Sequence, residues 1–312
     1  MESAQLVVNF ALPEKEKTRK KFKFPVFKTI SFIFLLIFCI LWISPFFIMF
    51  FGSLRGHYDA QYFPSELFPP HSGLTLENFK MLLLGEYPDD IVHNTTTYPI
   101  WNWFINSCFS AIGGTLLYLI IASFTAYTFV FVDFKFRKYI FAFLIATLVI
   151  PGTATSVGNQ SFVYSIGLNN SILALIIPGL GGVYGMYLIK TFFESIPKDL
   201  VESAKMDGCS NISIFAKIVF PLGKTAIYVQ GLFGFMGGWN DLVWPQMLFG
   251  AKDNHLWTLQ VGMAYIINNS KTADLIGTAL ASGVICFLPV LVVYLIAQNK
   301  IIEGMATAGI KR

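Results

Sequence analysis

Six long apolar stretches constrain this chain more than any other feature of its sequence. They comprise roughly residues 27–54, 103–132, 139–158, 171–194, 222–248 and 273–299. A helix needs about 20 mostly apolar residues to cross the hydrocarbon of a bilayer, and each stretch meets that length. Only 13% of the 312 residues are charged, too few to cover a water-soluble globule. The sequence therefore predicts an all-α membrane protein with six transmembrane helices.

The distribution of Lys and Arg predicts how these helices are oriented. Cytoplasmic loops of membrane proteins retain such residues preferentially. With both termini inside, eighteen of the 22 Lys and Arg residues lie in or directly beside the basic arm 1–26, the connections 133–138 and 195–221, and the tail 300–312. The segments 55–102 and 249–272 then face outward. The first stretch is expected to remain as an anchor, since it begins too late and runs too long for a cleaved signal peptide.

The chain lacks the sequence patterns that enzymatic chemistry requires. Gly223-Lys224-Thr225 resembles the end of a phosphate-binding loop, but Ile218 stands where that loop needs its first glycine. The four histidines are scattered without metal-ligand spacing, so no metal site is expected. The net charge of +4 arises from the basic arm, which suits anionic lipid headgroups, and no nucleic-acid partner is expected.

Prolines and glycines mark the apolar stretches. Five of the six contain a proline, which predicts bent or broken helices; these are Pro45, Pro151, Pro178, Pro245 and Pro289. Two Gly-x-x-x-Gly patterns predict close helix packing; they are Gly181 with Gly185 and Gly234 with Gly238.

Residues 195–221, here called the helix-pair segment, predict two short amphipathic helices. Pro197 suits a first helical turn, and Asp207-Gly208 supplies a break with Gly at a left-handed terminus. Ser210-Asn211 then caps a second helix that ends at Pro221, where the next span begins. Apolar residues recur at helical spacing in both helices: Leu200, Val201, Ala204, Ile212, Phe215 and Val219. The pattern alone leaves open whether a partner protein or the membrane surface covers this apolar face.

The string Glu202-Ser203-Ala204-Lys205-Met206-Asp207-Gly208 resembles the Glu-Ala-Ala motif of ABC importer permeases. Further stretches are similar to the carbohydrate-uptake, maltose-type branch and occur in the same order: Leu76-Glu77-Asn78-Phe79, Phe104-Ile105-Asn106-Ser107, Thr125-Ala126-Tyr127, Leu168-Asn169-Asn170-Ser171, Trp239-Asn240-Asp241, Trp257-Thr258-Leu259-Gln260-Val261-Gly262 and the tail 303–311. The resemblance implies the type I ABC importer permease fold in a bacterial inner membrane. It also implies two sets of ATPase-contacting residues: Glu202, Ser203, Ala204, Asp207, Gly208, Phe215 and Pro221 in the helix-pair segment, and Gly304, Gly309 and Lys311 in the tail.

The same resemblance implies the partners of the chain. They are a second, homologous permease, two ABC ATPase subunits that would carry ATP and Mg, an extracytoplasmic solute-binding protein and a carbohydrate substrate. The chain itself is expected to be a transport subunit, without an ATPase site or a bound cofactor. Two alternatives stay open: an ABC importer for a non-sugar solute, and an ion-coupled secondary transporter. A membrane enzyme would need a catalytic cluster that the sequence does not show.

Four residues in the fifth apolar stretch are candidates for the substrate path. Asp241 is an acid well inside a predicted span, where an ionisable group is costly and commonly functional. With Gln230, Trp239 and Asn240 it offers the aromatic and planar polar groups that bind sugars. The alternative is an interfacial Trp anchor followed by a capping Asn-Asp pair. A similar polar pair ends the third stretch: Asn159 and Gln160.

Overall fold

The computed structural model describes residues 26–56, 59, 73–85, 99–250, 254–269 and 276–309, and every regular element in these ranges is a helix. In chain order the helices are α1 (Val26–Ser53), α2 (Glu77–Leu84), α3 (Ile100–Phe131), α4 (Arg137–Thr147), α5 (Gly152–Ser165), α6 (Leu173–Gly181), α7 (Val183–Phe193), α8 (Lys198–Met206), α9 (Asn211–Trp239), α10 (Val243–Phe249), α11 (Leu259–Asn269) and α12 (Ile276–Gly309). The all-α prediction is confirmed for this part of the chain.

Four of these helices, α1, α3, α9 and α12, are individually long and apolar enough to cross a membrane. The pairs α4–α5 and α6–α7 meet the same test only when each pair is taken as one bent span, which gives up to six. Within the described residues, 26–46 form a unit of their own, separate from the residues that begin at Phe47. In that unit, the apolar side chains of α1 from Ile30 to Phe46 are almost all exposed, as in a helix that is hydrophobic all round.

Two of the predicted spans are broken. Residues 139–158 do not form one helix, because α4 ends at Thr147 and α5 leaves it at an angle of 102°. Pro151 causes this break: it has extended backbone angles and lacks the N–H that would continue α4. Residues 171–194 bend by 48° between α6 and α7, where Gly182 is non-helical and Pro178 lies in a tighter 3₁₀ turn.

The fifth predicted span, 222–248, is displaced along the chain. The helix α9 begins at Asn211, so Pro221 does not separate the helix-pair segment from the span. A π-helical turn at Phe215–Val219 precedes this proline, and the Phe220 N–H bonds to the Phe215 carbonyl five residues back. This wider turn accommodates a residue that cannot donate a backbone hydrogen bond. The helix ends at Trp239, and Val243–Phe249 form the separate helix α10.

Two further boundaries differ from the sequence prediction. The segment 249–272, expected to be a loop, contains the 11-residue helix α11. The last helix does not end at residue 299 but continues to Gly309, so most of the predicted tail 300–312 is helical. The basic arm before Val26 lies outside the described residues.

The core of the second unit consists of two clusters of buried side chains at opposite ends of α3. One cluster joins the end of α3 to α7, α8 and the first turns of α9, and it includes Tyr127, Phe193, Val201 and Phe215. The other joins the beginning of α3 to α10, α11 and α12, and it includes Trp103, Trp239 and Trp257. Between these clusters, small residues on α3, α6 and α9 leave room for a cavity.

Candidate functional site

The helix-pair segment has the break that its sequence predicts. Helix α8 ends at Met206, and Gly208 takes a left-handed conformation with φ of 77°. The backbone N–H of Cys209 then bonds to the Ala204 carbonyl at 3.0 Å and closes the helix terminus. Ser210 caps the next helix, because its hydroxyl accepts a hydrogen bond from the Ser213 N–H at 3.3 Å. The chain therefore turns at Gly208 between α8 and α9.

Helices α8 and α9 are fixed to the end of α3 by aromatic and polar contacts. Phe215 packs edge-on against Tyr127, with ring centroids 5.6 Å apart. The Tyr127 hydroxyl donates to Asn211 Oδ1 at 3.2 Å. On the other helix of the pair, Lys205 Nζ donates to the Phe131 carbonyl oxygen at 2.9 Å. These contacts tie both helices of the segment to one transmembrane helix.

The apolar residues of the segment divide into a buried set and an exposed set, which the helical spacing did not distinguish. Four of the six predicted stripe residues are buried within the chain: Val201, Ala204, Phe215 and Val219. The exposed apolar surface comes instead from Met206, which is 88% exposed, from Ile212, which is 71% exposed, and from Leu200, which is 47% exposed. Glu202, Ser203, Asp207 and Gly208 are exposed as well, and Pro221 is exposed on α9. We call Met206 and Ile212 with the exposed part of the motif the docking face.

A cavity of 420 Å³ lies among α3, α6, α7 and α9. Glycines on three of these helices provide the space, and Gln230 and Asp241 both line it. The remaining lining residues are Ser110, Ala111, Gly114, Thr115, Tyr118, Leu175, Ile176, Gly179, Gly182, Tyr184, Phe233, Gly234, Gly237, Gly238 and Pro245. Two of the four residues that the sequence suggested for a substrate path therefore share one cavity.

Gln230 is 6% exposed and belongs to a polar contact at the crossing of three helices. Its Nε2 donates to the Tyr118 hydroxyl at 3.0 Å, and Tyr118 also has a hydrogen bond with the backbone of Gly185. A Cβ on Gly185 would overlap the Tyr118 hydroxyl, so this close approach requires glycine. Gln230 Oε1 has no hydrogen-bond partner among the described residues. A buried acceptor without a donor costs about 1–3 kcal/mol.

Asp241 has both a structural role and a position on the cavity wall. Its Oδ1 accepts a hydrogen bond from the Trp244 N–H at 3.3 Å and so caps the beginning of α10. The same residue lines an adjoining cavity of 330 Å³ together with Thr153, Ser156 and Asn159. Asp241 therefore lies where the two cavities meet.

The other path candidates lie elsewhere. Trp239 is 1% exposed and its indole N–H donates to the Cys286 carbonyl at 3.1 Å, so its ring is part of the core and does not line the cavity. Asn240 is exposed, and its Nδ2 donates to a carbonyl of α9, that of Met236, at 2.9 Å. Gln160 donates to the Met247 carbonyl at 3.1 Å, which joins α5 to α10. Asn159, the other residue of the polar pair that ends the third stretch, lines the cavity of 330 Å³.

The beginning of α3 holds the chain between Asn254 and Trp257 through side-chain donors that sequence reasoning missed. Asn102 Nδ2 and Asn106 Nδ2 both donate to the His255 carbonyl, at 2.6 and 2.7 Å. Trp103 Nε1 donates to the Asn254 carbonyl at 2.8 Å, and Asn106 also reaches the Trp257 carbonyl at 2.9 Å. The sequence contained an indication of this contact, because two of the family-like stretches, 104–107 and 257–262, meet here through Asn106 and Trp257.

The tail residues can be placed only in part. Gly304 and Gly309 lie in α12, and Lys311 lies outside the described residues. No group of three or more potential metal ligands occurs in the described ranges.

These features define a class: a multi-pass helical membrane protein with an exposed helix pair between two spans and a polar cavity among its helices. Residues 117–306 match the family described as binding-protein-dependent transport system inner membrane component. The chain belongs to this family and is an inner-membrane permease subunit. The family expected from the Glu-Ala-Ala-like motif is thereby confirmed.

Three relatives illustrate the range of the family. The arabinooligosaccharides transport system permease protein AraQ of Bacillus subtilis is 24% identical over 289 residues, 93% of this chain and 98% of that protein. The galactooligosaccharides transport system permease protein GanQ of Bacillus subtilis is 30% identical over 250 residues, 79% of this chain and 83% of that protein. The sn-glycerol-3-phosphate transport system permease protein UgpE of Escherichia coli is 26% identical over 231 residues, 72% of this chain and 82% of that protein.

A solved structure shares the fold. One chain of a bacterial ABC transporter involved in the import of the acidic polysaccharide alginate aligns with a TM-score of 0.71. The alignment covers 88% of this chain and 96% of that chain, at 20% sequence identity. This structural similarity confirms the expected type I ABC importer permease fold.

Proposed function

We propose that this chain is one of two non-identical permeases in an ATP-driven importer of a carbohydrate, with an oligosaccharide as the preferred substrate. The observation that supports the proposal is the docking face. It belongs to a Glu-Ala-Ala-like helix pair that is fixed to the chain on one side and exposed on the other. Its partners are a second permease, two ABC ATPase subunits and an extracytoplasmic solute-binding protein. Both termini and the docking face lie on the cytoplasmic side.

ATP and Mg bind to the separate ATPase subunits. The local structure of Gly223-Lys224-Thr225 supports this assignment, because these residues lie inside the continuous helix α9. Gly223 is buried, and a Cβ at this position would overlap the Phe193 ring. A phosphate-binding loop needs free backbone N–H groups that surround the anion, whereas those of a helix interior are bonded within the helix.

The helix α9 provides the mechanical connection between ATPase and cavity. It runs without interruption through 29 residues from Asn211, next to Ile212 of the docking face, to Trp239, two residues before Asp241. At 1.5 Å per residue it is about 43 Å long. A displacement of the docking face on closure of the ATPase pair would therefore tilt a wall of the cavity. Such a tilt would switch the side of the membrane to which the cavity opens.

The carbohydrate assignment is supported by the relatives named for arabinooligosaccharides and galactooligosaccharides. The relative named for sn-glycerol-3-phosphate shows that the family also contains a permease named for a phosphate ester. A test of the carbohydrate assignment is uptake by the reconstituted complex of the ligand that its solute-binding protein retains from a panel of oligosaccharides.

Glu202→Lys and Gly208→Pro test the coupling. Glu202 is exposed, so reversal of its charge leaves the core intact, and proline cannot adopt the positive φ of Gly208. Both variants are expected to lose co-purification with the ATPase subunits and ATP-dependent uptake. Asp133→Lys, which reverses an exposed charge in the neighbouring connection, is the matched control and should retain both. Uptake by the complex in the absence of ATP would refute the proposed function.

A further inference from the structure

The cavity beside Gln230 carries acceptors and hydroxyls but no cationic side chain. Among the described residues that line it, Asp241 is charged, and none is Lys, Arg or His. The adjoining cavity shares Asp241 and adds Asn159, again without a basic lining residue. A carboxylate in a confined site of low dielectric repels an anion and accepts hydrogen bonds from neutral hydroxyl groups. The charge of both cavities therefore disfavours a phosphate or a uronate.

The polar side chain that lacks a partner points to the same kind of ligand. Gln230 is more than nine-tenths buried, and one of its two amide atoms pairs with Tyr118 while the other has no partner among the described residues. This holds whichever way the carboxamide is turned, because the Tyr118 hydroxyl can donate or accept. The unpaired amide atom would gain a hydrogen bond from a hydroxyl group of a solute.

The aromatic lining completes the properties that a sugar ring requires. Tyr184 is 59% exposed and Phe233 is 55% exposed, and both line the cavity. Their apolar faces suit the C–H groups of a pyranose or furanose ring. Because these two side chains remain exposed, the cavity is open on one side, where the second permease would close it.

We infer that the cavity formed by Tyr118, Tyr184, Gln230 and Asp241 is a contact site of this chain for a neutral, polyhydroxylated solute during its passage. The inference rests on the proposed permease function and narrows its substrate class. It assigns to this permease a direct role in accepting the solute, with Gln230 and Asp241 as hydrogen-bonding groups. Similarity to relatives does not decide this point, since they are named for both neutral and anionic solutes.

Uptake by the full complex in proteoliposomes tests the inference. Neutral arabino-oligosaccharides and galacto-oligosaccharides are compared with sn-glycerol 3-phosphate and with oligoalginate, each with ATP inside the vesicles. Uptake of a neutral oligosaccharide is expected. Gln230→Leu removes a hydrogen-bonding group, and Asp241→Asn replaces a charge-assisted hydrogen bond by a weaker neutral one, so each should raise the KM about tenfold. Asparagine can still cap α10, so Asp241→Asn preserves the local fold.

Two comparisons separate binding from a structural effect. Gln298→Leu makes the same substitution at a residue that bonds within α12 and does not line the cavity, and its KM should not change. The solute-independent ATP hydrolysis of the Gln298→Leu variant should also equal that of the parent complex. Selective uptake of the anionic probes, or an unchanged KM in both variants, would overturn the inference while the permease function remains. Failure of ATP to drive uptake of the receptor's ligand would instead contradict the proposed function itself.

Discussion

Removal of the exposed apolar side chains from the docking face should weaken ATPase binding without unfolding the permease. Full burial of a Met or Ile side chain contributes about 1.5–3 kcal/mol. Met206 is 88% exposed and Ile212 71% exposed, so most of each contribution is still available to a partner. Alanine at both positions should remove about 3 kcal/mol, which corresponds to a roughly 100-fold increase in the dissociation constant. Since neither side chain is buried within the chain, the melting temperature should scarcely change.

The assay is a titration of the purified ATPase pair onto the two permeases in nanodiscs, followed by biolayer interferometry. Ile166→Ala is the control, because this residue is 45% exposed and lies just beyond α5, outside the helix-pair segment. Val201→Ala offers the opposite contrast: Val201 is 2% exposed, so its truncation should lower the melting temperature more than the affinity. An affinity of Met206→Ala/Ile212→Ala within twofold of the parent would refute the assignment of the docking face.

Two further predictions concern contacts within the bundle. Gly185→Ala should destabilise the permease by about 1–3 kcal/mol, because the added Cβ overlaps the Tyr118 hydroxyl; thermal unfolding in detergent measures this, and an unchanged melting temperature would contradict the crossing geometry. Asn78→Ala should lower the free energy of unfolding by about 3 kcal/mol, because three hydrogen bonds are lost. Asn78 donates to the Ser53 and Arg55 carbonyls at 2.9 and 2.7 Å and accepts from the Thr278 hydroxyl at 3.1 Å. Proteolysis of the Asn78→Ala variant, compared with the parent, should show earlier cleavage, and equal rates would exclude the predicted loss.

The local features of the helix-pair segment could be predicted because they depend on neighbouring residues. A left-handed Gly208 after Asp207 and a capping Ser210 are short-range effects of backbone conformation and hydrogen bonding. The assignment of faces could not be predicted in this way. Val201 and Met206 both lie on an amphipathic helix, and the tertiary cluster formed with α3, α7 and α9 buries the first and leaves the second exposed.

The span boundaries and the cavity lining likewise could not be predicted from neighbouring residues alone. Hydropathy placed the end of the fifth span near residue 248, but α9 ends at Trp239, and a hydrogen bond to Asp241 begins a new helix. Trp239 and Gln230 lie on one helix, yet Trp239 packs into the core while Gln230 lines the cavity. The cavity lies among several helices, so which side of α9 lines it depends on tertiary contacts.

The hydrogen bonds at the beginning of α3 hold the segment from Asn254 to Trp257 through its main chain and not through its side chains. The donors, Asn102, Trp103 and Asn106, belong to the span, whereas the acceptors between Asn254 and Trp257 are main-chain carbonyls. Every amino acid supplies such a carbonyl. Substitution of Asn254 therefore leaves these acceptors in place, so the side chain at this position can change while the backbone of the segment stays anchored to α3.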